Sequence, residues 1–367
     1  MRLGVFCNYL PPHVGGVERV VASEAVQLAC RGVEVRVVTS SLASPGLDGV
    51  DVRRVPAWNG LEARTAIPYP LFAPDLVAQA RAAARWADLV HVHDSLYLPS
   101  LAGALAAVRR RRPLVVTQHV GLVAHSQPAV EVVQRAGYLL LGDRVLRRAD
   151  AVAAVNEDAA AFVGRRGVAA GRVVVLPNGV DTDRFRPVAG DAERAALRAR
   201  LGLPPAGMVV LFVGRFVPKK GFDRLLAAAD PRYLLVFAGG DAPAAAVSRS
   251  GVRWLGRLDH EELADVYRAA DVLAAPSVGE RSTLVMLEAM ASGLPVVVSE
   301  AQPAAGVVFA RPEPEALRDA LLGLTADPAR RAALGAAARA HAVAHGSWAA
   351  HTDRLLEVYE QARSRRR

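Results

Sequence analysis

Residues Pro276–Ser299 read PSVGERSTLVMLEAMASGLPVVVS, and the rest of the chain is organised around them. A loop carries Glu280. The run from Thr283 to Ser292 predicts a helix of about ten residues, closed by Gly293, because the position past the last turn favours a left-handed backbone that glycine adopts without strain. Pro295 to Ser299 is a short apolar run, the mark of a buried strand. Ser282 or Thr283 is the natural N-cap, since either hydroxyl can accept from the first free amides. A helix N-terminus opening from such a loop suits a phosphate. Glu288 lies between one and two turns in, roughly 8 Å from that end at about 1.5 Å per residue. A ribose is about that far from the diphosphate it carries. One helix would then hold phosphate at its tip and ribose hydroxyls on Glu288. Glu280 would sit on the other side of the phosphates, beside a transferred group.

The spacing of Glu280 and Glu288, followed by LEAMASGLPVVVS, resembles the E-x7-E signature of retaining glycosyltransferases of family 4. Spacing alone would suit an amphipathic helix with two solvated glutamates; the continuation favours the family. The resemblance implies an α/β chain of GT-B fold, with two Rossmann-like domains facing across a cleft. It places the acceptor on residues 1–177 and the nucleotide-sugar on residues 178–346. The final helix, within 347–367, would cross back to the N-terminal domain.

The 367 residues are enough for two or three domains, and 52% hydrophobic with 22% charged content gives a globular chain with ample core. Arg2 is the one charge before a short apolar run that meets Pro11 and Pro12, too short for a signal peptide. No predominantly apolar stretch is long enough to span a bilayer. Cys7 and Cys30 are too few for a disulfide framework or metal site and fit a reducing cytoplasm. The expected location is therefore cytoplasmic, with peripheral contact at the inner membrane face as a further expectation. The net charge of +9 admits three readings. Nucleic acid would want interleaved aromatics, which are only 5% of the chain. An anionic membrane surface and a plainly solvated arginine-rich surface both remain open. Lys219 and Lys220 are the only lysines, and they are adjacent. A compact ammonium charge where arginine is used elsewhere suggests a local demand for phosphate binding.

From the N-terminus, Arg2 to Asn8 reads as a strand, Leu10 to Gly16 as a loop, Val17 to Arg31 as a helix and Val33 to Thr39 as a strand. This opens a doubly wound sheet. Gly15 and Gly16 let a backbone approach an anion closely, and by resemblance they face the donor diphosphate. The Pro-containing loop from Pro56 to Pro74 is a candidate for acceptor recognition. His91, His93 and Asp94 evoke metal ligands, yet the two histidines share one strand face and the further histidine of such a site is missing, so they read as structural, with Asp94 at the strand end a candidate cleft residue. The Arg109–Arg112 run is a solvated helix end or a lipid contact. His119 ends its strand where ligands collect in an open parallel sheet, and it resembles the family's histidine near the donor sugar. PNGVDTDRFRP, from Pro177 to Pro187, resembles the interdomain linker, and its Asp181 and Asp183 read as turn chemistry. GRFVPKKG, from Gly214 to Gly221, resembles the family's phosphate loop, which makes Arg215 and Lys220 the cations on the diphosphate. Backbone groups at Arg257 and Leu258 would pack on the base, and Ser282, Thr283 and Leu284 would face phosphate. SEAQPAAGVVFA, around residues 300–310, looks shortened against the family, and the tail RSRRR reads as unstructured.

These readings converge on metal-independent transfer of a hexosyl group from a nucleotide-diphospho-sugar, UDP- or GDP-linked, to a hydroxyl acceptor that is a glycan, a glycolipid or a small molecule. No separate cofactor is expected. The residues expected to carry the transfer are Glu280, Arg215, Lys220 and His119. A nucleotide-sugar epimerase on the same plan and a silent partner subunit are the alternatives.

Overall fold

The computed structural model describes residues 1–13, 15–42, 46–60, 62, 69–122, 128–240, 249–278, 283–301 and 304–366. They form two compact units, Met1–Asn178 with the C-terminal stretch from His351, and Gly179–Ala350.

In the first unit β1 (Arg2–Phe6), β2 (Glu34–Ser40) and β3 (Val50–Val55) come first in the chain. Two short strands follow, β4 (Ala57–Trp58) and β5 (Leu71–Phe72), and then β6 (Leu89–His93), β7 (Leu114–Gln118), β8 (Ala151–Ala154) and β9 (Val173–Val175). Seven of these make a parallel sheet in the order β3-β2-β1-β6-β7-β8-β9. Strands β6, β7 and β8 are buried along their whole length, as strands covered by helices on both faces must be. The covering helices are α1 (Gly16–Cys30), α2 (Asp75–Trp86), α3 (Leu98–Arg109), α4 (Pro128–Gly137), α5 (Asp143–Arg148) and α6 (Glu157–Arg165). The chain adds strands outward from β1 in one direction and then returns to its other side. β1 and β6 therefore flank the point where strand order reverses, the place where ligands collect in such sheets. The segment from Pro56 to Pro74, expected as one loop, contains the antiparallel pair β4–β5, while residues 61 and 63–68 lie outside the described residues.

The second unit repeats the plan. Its strands are β10 (Met208–Val213), β11 (Tyr233–Ala238), β12 (Val252–Gly256), β13 (Val272–Ala275), β14 (Val296–Val298) and β15 (Val307–Phe309), all parallel in the order β12-β11-β10-β13-β14-β15. Helices α7 (Asp191–Arg200), α8 (Phe222–Ala227), α9 (His260–Ala269), α10 (Leu284–Ala291), α11 (Pro314–Ala326) and α12 (Pro328–His345) pack around them. The reversal point here lies between β10 and β13. The buried Arg198 donates to Asp271 Oδ2 (2.7 Å) and to the Ala269 carbonyl (3.0 Å), and Asp271 Oδ2 also accepts from Val209 N (2.8 Å). That carboxylate therefore locks α7 against the starts of β10 and β13. The 300–310 segment is not merely a shortened loop: it supplies β15, whose Val307–Phe309 run pairs with β14.

At the linker, Asp181 Oδ1 accepts from the amides of Asp183 (3.1 Å) and Arg184 (3.0 Å), so the Asp-Thr-Asp triplet forms a turn. The last helix, α13 (Trp348–Ser364), buries Leu355, Val358, Tyr359 and Ala362 in one cluster with Leu3, Val5 and Val115 of the first unit. Its tail corrects the expectation of disorder through Arg366. Arg366 Nε lies 2.9 Å from both carboxylate oxygens of Asp150, and Arg365 donates to the Asp150 carbonyl (2.6 Å). An anchored acceptor at the start of β8 holds the cations in place. Among the described residues no helix is long and apolar enough to cross a membrane.

Candidate functional site

In the second unit the loops after β10 and β13 meet at the reversal point. Val278 N donates to the Lys219 carbonyl (3.2 Å). Gly221 is left-handed (φ 72°), and a Cβ there would stand 2.3 Å from the Pro276 carbonyl oxygen. Only glycine permits both the backbone angle and the approach. The lysine pair is thus fastened to the segment that leads into Glu280. Arg215 is exposed and Lys220 half-buried, on a turn closed by Lys220 N donating to the Val217 carbonyl (2.9 Å). Glu280 and Ser282 themselves lie outside the described residues.

Helix α10 follows Thr283, whose backbone is extended, and stops at Ala291, two residues before the left-handed Gly293 (φ 76°), within a residue of the expected limits at each end. Thr283 Oγ1 is buried with no hydrogen-bond partner among the described residues, and it makes no cap bond to its own helix. Leu284 is half-buried at the first helical position. Glu288 is 4% exposed, and its Oε2 lies 2.9 Å from the Tyr267 hydroxyl. Tyr267 escaped the sequence reading, because a lone aromatic on α9 has no local pattern to mark it. Arg257 is exposed and Leu258 half-buried, directly after the left-handed Gly256 that ends β12. Asp259 then caps α9 through a reciprocal bond with Glu262.

In the first unit Gly15 is the N-cap of α1 and Gly16 its first residue. The Glu18 carboxylate lies over Gly15, where a Cβ would stand 2.0 Å from Glu18 Oε2. Burial raises the Glu18 carboxyl above its ordinary range despite hydrogen bonding from the backbone and from His13. His13 contacts Glu18 (3.1 Å) and Glu62 (3.1 Å) and stacks on Tyr9 at 3.8 Å. This polar group around the glycine loop was not foreseen, since Glu62 stands 49 positions from His13.

His119 follows β7 and is held by His93, the last residue of β6, and by Asp94 directly after it. Asp94, itself left-handed (φ 56°), accepts through Oδ1 from the amides of His119 (2.9 Å) and Val120 (3.3 Å) and from the Gln118 side chain (2.9 Å). His93 Nδ1 lies 3.0 Å from His119 Nε2. His91 and His93, read from the sequence as structural, are buried at 0% and 1% exposure. With Glu24 they bring one donor atom each within 4.8 Å of one another. Protein partners engage this set: His91 bonds to Thr117 (2.7 Å) and Tyr359 (2.9 Å), and Glu24 to His351 (2.9 Å). Burial pushes the His91 and His119 imidazoles down to about 4 and His93 well below its ordinary value. Glu24 and His351 were missed. Glu24 left one visible sign, a charge on the α1 face that also carries Val20, Val21, Ala25 and Leu28.

With this geometry in view, residues 14–184 match the family described as Glycosyltransferase Family 4, and residues 207–327 match Glycosyl transferases group 1. A curated relative, the D-inositol 3-phosphate glycosyltransferase of Xylanimonas cellulosilytica, is 37% identical over 96% of this chain and 93% of its own. The namesake from Kineococcus radiotolerans is 36% identical over 95% and 91%. Among solved structures, Anabaena HepE in complex with UDP superposes with a TM-score of 0.77 over 98% of this chain and 100% of its own, at 20% identity. That likeness carries the fold.

Proposed function

The chain belongs to family 4 of the glycosyltransferases, with the GT-B fold, and from that premise we propose that it moves a hexosyl group, with retention and without a metal, from a nucleotide-diphospho-sugar to a hydroxyl acceptor. The observation that carries this reading is the junction of the two loops in the second unit, Val278 N on the Lys219 carbonyl beside the Gly221–Pro276 approach. It brings the loop of Lys219 and Lys220 against the segment after β13 that leads towards α10 in the sequence. Arg215 and Lys220 would hold the diphosphate. The bond from the sugar's anomeric carbon to the phosphate breaks, and fixed cations stabilise the charge that gathers on the leaving group without reorganising. The acceptor oxygen bonds the same carbon on the same face, and its proton passes to the departing phosphate oxygen.

Ser282, Thr283 and Leu284 would offer amides and hydroxyls to phosphate, Glu288 would take the ribose hydroxyls, and backbone at Arg257 and Leu258 would flank the base. Glu280 and His119 would orient the transferred sugar, and Gly15 and Gly16 would border the donor. Neither glutamate is assigned as a nucleophile. UDP is the first donor nucleotide to try and GDP the second, and the relatives' name makes a phosphorylated inositol the first acceptor to assay.

The test is product analysis with UDP- and GDP-hexoses, with and without acceptor, in EDTA. A glycoside of retained configuration, formed in EDTA, is the expected product. An epimerised donor formed without acceptor would establish the epimerase reading instead, and strict dependence on added Mg²⁺ or Mn²⁺ would overturn metal independence. Lys220→Ala is expected to lower kcat/KM by about 10²–10³, the usual worth of one preorganised charge donor, and to weaken the free nucleoside diphosphate as well.

A weak anionic-membrane contact at Arg109 and Arg110 belongs to the same proposal, since they line a groove of about 450 Å³ with the exposed Val77 and Leu105. Sedimentation with anionic vesicles at low salt, lost in the double alanine variant, is the expected result; equal, negligible binding to neutral and anionic vesicles would remove it.

A further inference from the structure

Four side chains from four elements form a continuous line inside the first unit: His351 of α13, Glu24 of α1, His93 of β6 and His119 after β7. Hydrogen positions along it follow from the partners. His351 Nδ1 lies 2.8 Å from the Pro177 carbonyl oxygen, which can only accept, so this nitrogen donates. His351 Nε2 lies 2.9 Å from Glu24 Oε1, so the imidazole and the carboxyl share one further proton. Burial opposes the charge on Glu24, but the His351 hydrogen bond and charge hold its carboxyl below the ordinary value, which puts that proton on His351. The other carboxylate oxygen, Oε2, faces His93 Nε2 at 3.6 Å. This is longer than a hydrogen bond, yet neither atom has another partner among the described residues. A carboxylate repels a facing lone pair and attracts an N–H, so His93 carries its proton on Nε2. Its Nδ1 is then an acceptor, 3.0 Å from His119 Nε2, which must donate. His119 is left with Nδ1 as its acceptor.

We infer that Glu24 and His93 are positioning residues that fix His119 as the Nε2–H tautomer, so that its Nδ1 accepts a hydroxyl of the transferred sugar. This rests on the reading of His119 given above. Asp94 fixes the backbone of His119 through the two amides it binds, and His93 fixes the ring; the two adjacent residues at the end of β6 divide the task. The ring planes of His93 and His119 lie 21° apart, so the contact also sets the tilt of the imidazole. Burial keeps His93 and His119 neutral, as the line requires.

A two-bond ¹⁵N–¹H spectrum of the full-length, ligand-free protein reads the tautomer directly. The expected result is a protonated Nε2 and a bare Nδ1 on His119. A bare Nε2, or protons on both nitrogens at pH 7.5, overturns the inference whatever the activity. Glu24→Gln is the conservative variant: its amide nitrogen donates to His351 and its oxygen accepts from His93, so the tautomer and kcat should hold. His93→Phe removes the contact while filling the space. It should give a mixed His119 tautomer and lower kcat about tenfold, the worth of one hydrogen bond, with affinity for the free nucleoside diphosphate unchanged. If the tautomer mixes in His93→Phe but kcat does not move, the line orders His119 without serving transfer, and the sugar role of His119 fails. If Glu24→Gln folds but scrambles the tautomer, the order of donors along the line is wrong.

Discussion

Glu24 and Glu288 sit at matched positions and bond to different partners. Each sits on the helix after a reversal-point loop, and each is nearly sealed from solvent, at 3% and 4% exposure. Glu24 meets imidazoles on both sides, one bonded and one facing, and the nearer belongs to the last helix of the chain. Glu288 meets the neutral hydroxyl of Tyr267, which also lies 3.1 Å from the Val285 carbonyl of the same helix. A buried carboxylate set against a cation ties distant parts of the chain together. One oriented by a neutral phenol on a neighbouring helix is suited to meet a ligand. The same residue type at the same burial thus serves cohesion in one unit and, in the proposed function, recognition in the other.

Removing each carboxylate gives the widest separation. Glu24→Leu leaves a buried imidazole without its counter-charge and is expected to cost about 3–5 kcal/mol of stability. Glu288→Leu should cost less, because the Tyr267 hydroxyl keeps the Val285 carbonyl as its partner, and it should abolish tight binding of the nucleoside diphosphate. Urea midpoints with isothermal calorimetry on both variants decide the matter. A Glu288 variant as unstable as the Glu24 variant, with nucleotide binding intact, would break the contrast.

Acid should expose the same contrast at intermediate size. Burial pushes His91 down to about 4 and His93 well below its ordinary value, while an unfolded histidine titrates near 6.5. The unfolded chain then binds protons that the folded one refuses, so stability falls as pH drops from 6.5 towards 4. For His91 alone that is about 3 kcal/mol. Asp94 acts the other way: burial pushes its carboxyl up to about 7, and a raised carboxyl adds stability at low pH that fades as pH rises. It offsets roughly one histidine, and a net loss remains. In the second unit the Arg186 hydrogen bond holds Glu193 at about 2, so its contribution survives until pH falls below 4. Hydrogen exchange between pH 6.5 and 4.5, corrected for intrinsic rates, should therefore show the first unit losing protection first. Equal loss in both units would remove the buried histidines of the first unit as the cause.

What the sequence displayed and what it hid follow from distance along the chain. The strands were legible because runs such as LVVTQ and MVVLFV are apolar and β-branched, and the limits of α10 because Thr283 and Gly293 are local signals. Lys219, Lys220 and Pro276 belong to separate motifs in the sequence, and only the folded chain brings their loops into contact. The short β4, β5 and β15 carry too few residues for a period to register. The partner of Glu24 stands 327 positions away, so no spacing rule could pair them.

The tail supplies the smallest effect and a control on the first. Arg366 and Asp150 form an ion pair of good geometry, as Glu24 and His351 do, but their side chains keep 26% and 14% of their exposure. Water screens such a pair and solvates whichever partner remains, so Arg366→Ala should cost under about 1 kcal/mol. Asp150→Ala should cost more, since Asp150 Oδ2 also accepts from Leu114 N (2.8 Å) and a partly buried amide at the start of β7 would lose its partner. A double-mutant cycle isolates the pair itself. A coupling energy near that of the Glu24–His351 pair would mean that burial is not what separates them, and the reading of Glu24 as the cohesive carboxylate would lose its physical basis.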